Sequence, residues 1–153
     1  RIKLMSLKCG EAIGFVIFDC VCLFVGAASI RASATAEVAE KMAEAAKPVL
    51  SQLDKYIITI ASEGSSKTDV ATAVFGIIST IYSGGCLGAV ISAWLGSLTL
   101  GNKILYASTA LTTIVAAVAT DGVAEIGLIG LELATAGWVI SDSIQCVEAC
   151  EYG

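Results

Sequence analysis

Residues 75–103 read FGIISTIYSGGCLGAVISAWLGSLTLGNK, and they belong to the stretch that decides the fold of this chain. No charged residue lies between Asp69 and Lys103, and none lies between Lys103 and Asp121. Glycine and asparagine turn signals divide this stretch into apolar segments at 70–82, 86–98 and 104–120. A helix that is apolar on all sides must be enclosed by other helices or by lipid. The stretch therefore predicts a hydrophobic helical hairpin over residues 69–120.

The flanking segments complete an all-α pattern. Residues 11–31 form an apolar block that Asp19 alone interrupts, and its length favours a helix within an apolar N-terminal unit, 1–34. Residues 35–62 carry an apolar stripe at spacings of three and four, typical of an amphipathic helical shield, in which Pro48 introduces a kink or starts a second helix. Residues 122–153 predict a C-terminal helix. We expect one domain, 1–153, folded as a compact helical bundle with a central hydrophobic hairpin and stapled by disulfides.

The composition excludes one class of partner. Only 15% of the residues are charged, against about 25% in an average soluble protein, and the net charge is -5. All the basic residues precede position 104. In the segment that follows, the charged residues are all acidic: Asp121, Glu125, Glu132, Asp142, Glu148 and Glu151. Because no basic patch is present to bind phosphates, we expect no nucleic-acid partner.

The six cysteines predict disulfides. They are Cys9, Cys20, Cys22, Cys86, Cys146 and Cys150. An even number of cysteines, in a chain that begins at Arg1, favours a mature product of the secretory route. We expect the first three cysteines to be linked to Cys86 and to the pair near the C-terminus. One alternative is that the cysteines are buried free thiols, since cysteine packs as a small apolar residue. A zinc site is a further alternative, but the Cys-x-Cys and Cys-x3-Cys spacings and the absence of histidine disfavour it, and we expect no metal.

Small residues recur at every fourth position in and after the Gly-Gly break. This small-residue ladder consists of Gly84, Gly85, Gly88, Ala89, Ser92, Ala93 and Gly96. Such a ridge allows another helix to approach closely, in a membrane or in a soluble bundle. We expect it to pack the hairpin in the core or to assemble it in an oligomer.

Three acids, Asp121, Glu125 and Glu132, lie at spacings of four and seven on the last long apolar segment. The simple interpretation is that they form the wet face of a bundle helix. The functional hypothesis is a pH trigger, because protonation would remove charge that opposes entry into a membrane.

Catalysis has little support in the sequence. Without histidine, the common base of a Ser or Cys nucleophile is missing. Residues 96–103, GSLTLGNK, depart from the phosphate-binding loop at both decisive positions, Asn102 and Lys103. We expect neither an enzyme nor a cofactor.

In general plan the chain, over roughly residues 35–140, resembles secreted α-helical membrane-active toxins such as colicin-type pore domains and fungal killer toxins. That resemblance implies a hydrophobic hairpin held inside water-facing helices and released at a membrane. The leading hypothesis is a secreted, membrane-active toxin, pore-forming or membrane-disrupting, whose partners are target-membrane lipid and a receptor or second chain. One alternative is a non-enzymatic interaction module or homo-oligomer that buries its apolar surface between subunits, and another is a small integral membrane protein. A small-ligand carrier with an apolar cavity also stays open.

Overall fold

The computed structural model describes residues 7–120, 122–132 and 137–150, and it contains α-helices and short 3-10 helices packed around one another. The helices are α1 (Leu7–Val25), α2 (Ala36–Ala45), α3 (Leu50–Ala61), α4 (Lys67–Ser83), α5 (Leu87–Leu95), α6 (Leu100–Ala107), α7 (Ala110–Ala119), α8 (Val123–Glu132) and α9 (Trp138–Cys150). The 3-10 segments are Ala28–Ser33 and Lys47–Val49. The prediction of an all-α fold with compact helical packing and a disulfide is confirmed.

The N-terminal apolar block forms the most enclosed helix, α1. Helices α2, α4, α5, α7, α8 and α9 all contact it, and its side chains are buried almost continuously from Ile13 to Phe24. The close contact with α2 depends on Gly14, where an added Cβ would lie 1.8 Å from the carbonyl oxygen of Ala39. Gly26, at a φ of 69°, ends the helix, and the next amide donates to the carbonyl of Cys22, as in a Schellman cap.

The amphipathic shield is divided near Pro48 into two helices, α2 and α3. A second helix starting at the proline was one of the two outcomes that the sequence predicted. Thr35 caps α2 by accepting a hydrogen bond from the amide of Val38 at 3.2 Å. Pro48 then lies at the start of the 3-10 segment that leads into α3. Leu53, on the predicted stripe, is fully buried, whereas the charged residues face water.

Helices α4 and α5 are the enclosed part of the predicted hairpin. Ser66 and Asp69 form a capping box at the start of α4. The chain turns by 112° between α4 and α5, where Gly85 adopts a φ of 77°. Their inward faces, which include the fully buried Ile77 and Trp94, contribute to the same core as α1.

The expectation that residues 104–120 would be enclosed is wrong. In α6 and α7 only Ala110 and Ile114 are buried, so most of this apolar segment lies on the surface. The central position belongs instead to α1, whose large aliphatic and aromatic side chains fill the space that a hairpin of α4–α7 would occupy. The C-terminal region, expected as one helix, contains α8 and α9 in the described residues.

Candidate functional site: an exposed apolar helix pair

Helices α6 and α7 leave most of their apolar side chains exposed. Residues Leu100–Ala119 are long and apolar enough to cross a membrane, yet only 11% of their most apolar window is buried. Leu100, Ile104 and Leu105 are 74%, 70% and 60% exposed. Leu100 and Ile104 are one turn apart on the same side of α6, and Leu105 extends the exposed apolar surface about 100° farther around the helix. We call this side, with the exposed part of α7, the apolar helix pair.

Local sequence explains how the helix pair is held. Thr99 caps α6 by accepting from the amide of Asn102 at 3.4 Å. Tyr106 packs edge-on against the buried Trp94, with ring centroids 5.7 Å apart, and Ile114 inserts from α7 into the core. One face is therefore anchored by a few apolar contacts, and Lys103 is the single charge on the pair.

A shallow apolar groove extends this surface toward the α4–α5 turn. Its volume is about 230 Å³, and its lining residues are Tyr82, Gly85, Leu87, Gly88, Leu111 and Val115. Tyr82 and Leu111 are themselves exposed, at 41% and 40%. The exposed apolar surface thus continues from α6 across α7 to the glycines of the turn.

The small-residue ladder faces outward. Gly88, Ala89, Ser92 and Gly96 are exposed, whereas Ala93 is half-buried. The ladder residues of α5 and the outer side of α2 enclose a groove of about 420 Å³. Gly84 is also exposed, although an added Cβ there would meet the side chain of Val49. Of the two predicted roles, packing in the core is wrong for most of the ladder, and assembly with another helix stays a prediction.

The three acids proposed as a pH trigger are only partly described. Asp121 and the side chain of Glu132 lie outside the described residues. Glu125, in the first turn of α8, is half-buried, and burial raises the pKa of its carboxyl above the ordinary value of 4.5. Its proton uptake therefore begins at a higher pH than that of an exposed glutamate.

The cysteines are linked once, between the two ends of the chain. A disulfide joins Cys9, at the start of α1, to Cys150, at the end of α9, as expected for a link between the first cysteines and the C-terminal pair. The predicted links of Cys20, Cys22 and Cys86 are wrong, because all three are buried cysteines outside any disulfide, and Sγ of Cys86 lies 3.6 Å from the carbonyl oxygen of Gly84. Cys20 and Cys22 are buried thiols of α1, and burial raises the pKa of Cys22 to about 12. No group of three potential metal ligands occurs among the residues the structure describes.

A buried polar cluster, which the sequence interpretation missed, also joins α1 to α9. Arg31 donates from Nε and Nη2 to Oδ2 of Asp142, at 3.1 and 2.9 Å. Its Nε also lies 2.8 Å from Oδ1 of Asp19, but the N–H bond is not directed at that oxygen, so this contact is not a hydrogen bond. The ring of Phe15 lies 4.9 Å from the guanidinium carbon. One cation is therefore shared by two buried carboxyl groups.

The charge balance of this cluster requires a proton. Burial, reinforced by the neighbouring carboxyl group of Asp142 and by its negative charge, raises the pKa of Asp19 to about 10 and outweighs the lowering effect of Arg31. At neutral pH Asp19 is therefore a neutral acid, and the Arg31–Asp142 pair carries the charges. The signal was present in the sequence, since Asp19 is the one charged residue inside the apolar block 12–30.

Comparison of the chain with protein-family models, with curated proteins and with solved structures gives no match.

Proposed function

We propose that this protein is secreted and acts on membranes, and that the apolar helix pair is the part that contacts lipid. The observation that carries this proposal is the exposure of Leu100, Ile104 and Leu105 on a 20-residue apolar segment. Exposed apolar area costs about 25 cal/mol per Å² in water, so covering this surface is favourable. A helical segment suits lipid because its backbone polar groups bond within the segment.

The dimensions and the charge agree with this role. A 20-residue helix is about 30 Å long, close to the thickness of the hydrocarbon core. The segment is interrupted at Ser108 and Thr109, which favours two short helices lying in the interface or entering it as a hairpin. Lys103 has a long apolar stem and can keep its ammonium group among the headgroups.

Membrane entry requires the helix pair to give up its contacts with the core. Those contacts, through Tyr106, Ala110 and Ile114, are apolar, and lipid can replace them. The negative charge of the following helix opposes entry, so protonation of Glu125 favours it. The disulfide between Cys9 and Cys150 supports the secreted location and keeps the ends of the bundle together while the pair moves. Pore formation or membrane disruption, as in α-helical toxins, is the finer form of the proposal.

The test is binding to lipid vesicles and release of a trapped dye, from pH 7 to pH 4, with neutral and with anionic phospholipid. We expect binding that increases as the pH falls. The Ile104→Glu variant places a charge on the proposed lipid face, which costs about 2–3 kcal/mol, and should weaken binding roughly 30- to 150-fold. Ile58→Glu is the matched control, because Ile58 is an exposed isoleucine of α3, outside the pair.

Equal loss of binding in both variants, or no binding of the folded protein to any vesicle, would contradict the proposal. Binding without dye release would support lipid contact by the helix pair and contradict pore formation. Failure of the protein to stay in solution without detergent would favour the small integral membrane protein instead.

A second candidate function is self-assembly through the small-residue ladder. Its supporting observation is that Ala89, Ser92 and Gly96 are exposed and line a groove large enough to receive side chains of another helix. Gly88 is exposed and an added Cβ there meets nothing within 4 Å, so we expect Gly88→Leu to fold as a monomer while obstructing a close helix crossing. Sedimentation of this variant should show loss of an oligomer, whereas Gly127→Leu, at another open helical glycine, should not change it.

A further inference from the structure

Three sulfur atoms meet where the start of α1 contacts the end of α9. Cys146 lies one helical turn before Cys150, and its Sγ is 3.9 Å from the Cys150 Sγ that forms the disulfide with Cys9. All three side chains are buried, with exposed fractions of 0% for Cys146, 2% for Cys9 and 4% for Cys150. A small external thiol therefore has little access to the disulfide, whereas Cys146 already touches it.

We propose that Cys146 exchanges with the Cys9–Cys150 disulfide, so that the covalent tether between α1 and α9 can be opened without an external reductant. The thiolate of Cys146 attacks Sγ of Cys150, the Cys146–Cys150 bond forms, and the Cys9–Cys150 bond breaks. Cys9 leaves as a thiolate and takes up a proton equivalent to the one that Cys146 lost. One disulfide and one thiol are present before and after, so the step is redox-neutral.

The geometry gives this exchange its direction. Sγ of Cys146 lies 3.9 Å from Sγ of Cys150, and attack on that sulfur makes the thiolate of Cys9 the leaving group and frees the start of α1. Residues four apart on a helix have Cα atoms within the separation that a disulfide can span, and Cys146 and Cys150 both lie in α9. The original bond closes a sequence separation of 141 residues, whereas the new bond closes a separation of four and no longer ties α1 to α9.

Peptide mapping can distinguish the two isomers, because acidic residues separate the three cysteines. The folded protein is incubated at pH 6, 7 and 8, thiols are blocked with N-ethylmaleimide, and the chain is cleaved after glutamate. Cleavage after Glu11, Glu132 and Glu148 places each cysteine of the cluster on a different peptide. The expected result is two linked pairs, Cys9 with Cys150 and Cys146 with Cys150, together with labelled Cys9.

The rate of Cys9 labelling supplies the kinetic test. Exchange requires the thiolate of Cys146, so labelling should accelerate as the pH rises from 6 to 8. Cys146→Ser should abolish labelling of Cys9, whereas Cys86→Ser, at another buried cysteine, should leave it unchanged.

Two outcomes would overturn the inference. One is the Cys9–Cys150 pair alone at every pH. The other is labelling of Cys9 at the same rate as Cys20 and Cys22, because those thiols lie in the middle of α1 and become accessible when the whole bundle unfolds. Neither outcome depends on whether the protein binds membranes.

Discussion

Replacing Asp19 by asparagine tests the charge balance of the buried cluster directly. Asparagine has nearly the same size as aspartic acid and stays neutral at every pH. In the folded protein burial and the neighbouring Asp142 raise the pKa of Asp19 to about 10, whereas its ordinary value is 3.8. The folded chain therefore keeps a proton that the unfolded chain releases throughout the neutral range.

The sign and size of the effect follow from proton linkage. Because the folded pKa is raised, the contribution of Asp19 to stability is fully present below pH 3.8 and is lost as the pH rises toward 10. Within that window each pH unit changes the free energy of unfolding by about 1.4 kcal/mol. Asp19 is fully buried, so solvent screening does not reduce this figure. From pH 6 to pH 8 the wild type should lose about 3 kcal/mol that the Asp19→Asn variant keeps.

Urea denaturation at pH 6, 7 and 8 measures this difference. The range from pH 6 to pH 8 is suitable because the chain contains no histidine, whose titration usually dominates the pH dependence of stability in this range. Glu44→Gln is the matched control, since Glu44 is an exposed acid of α2, and it should retain the wild-type pH dependence. Parallel pH dependence in the wild type and in Asp19→Asn would refute the reasoning. It would mean that Asp19 is ionised in the folded protein, with Arg31 as its counter-ion.

Three further predictions concern the packing of α1 and the mobility of the surface helices. Gly14→Ala should destabilise the fold by about 1–3 kcal/mol, because its Cβ would overlap the backbone of Ala39. Gly10→Ala has open space at its Cβ and should instead stabilise α1 by about 0.5–1 kcal/mol. Thermal unfolding of both variants measures these changes. Cys9→Ser should lower the free energy of unfolding in urea by about 5 kcal/mol, the chain-entropy value for a loop of this length. Amides of α6 and α7 should exchange with deuterium well before those of α1, and equal protection would contradict the weak anchoring of the pair.

Local signals in the sequence predicted the helices well where the pattern is amphipathic or capped. The capping box of Ser66 and Asp69, the cap at Thr35 and the break at Pro48 all involve residues within a few positions of one another. Such features depend on hydrogen bonds within one turn, so they can be recognised without knowledge of the tertiary fold.

The sequence could not decide which apolar helix occupies the centre. The apolar segments 12–30, 70–98 and 104–120 contain at most one charged residue each, and apolar content alone does not rank them. Burial follows from shape: Gly14 allows α2 to approach α1, and Phe18 and Trp94 fill the space between α1 and α5. Helices α6 and α7 carry hydroxyl side chains, such as Thr112 and Thr113, that α1 lacks. Both threonines are exposed, and hydroxyl groups can remain hydrogen-bonded to water there.

The partners in the buried cluster and in the disulfide could not be predicted from local sequence, because they lie far apart along the chain. Arg31 and Asp142 are 111 positions apart, and six cysteines allow fifteen pairings. An acid inside an apolar block indicates that a partner must exist, because an isolated buried charge is too costly, but it does not indicate which residue that partner is.

The strongest polar and covalent links in the described residues join α1 to α9. The disulfide of Cys9 lies at one end of their contact, and the Arg31–Asp142 pair with Asp19 lies farther along it. Helices α6 and α7 are held by ring packing and a few buried aliphatic groups. Opening the helix pair therefore breaks mainly apolar contacts, which lipid can replace, while opening the α1–α9 contact requires breaking a disulfide and separating a buried ion pair. Weaker attachment of the surface helices than of the bundle centre is what the proposed membrane contact through α6 and α7 requires.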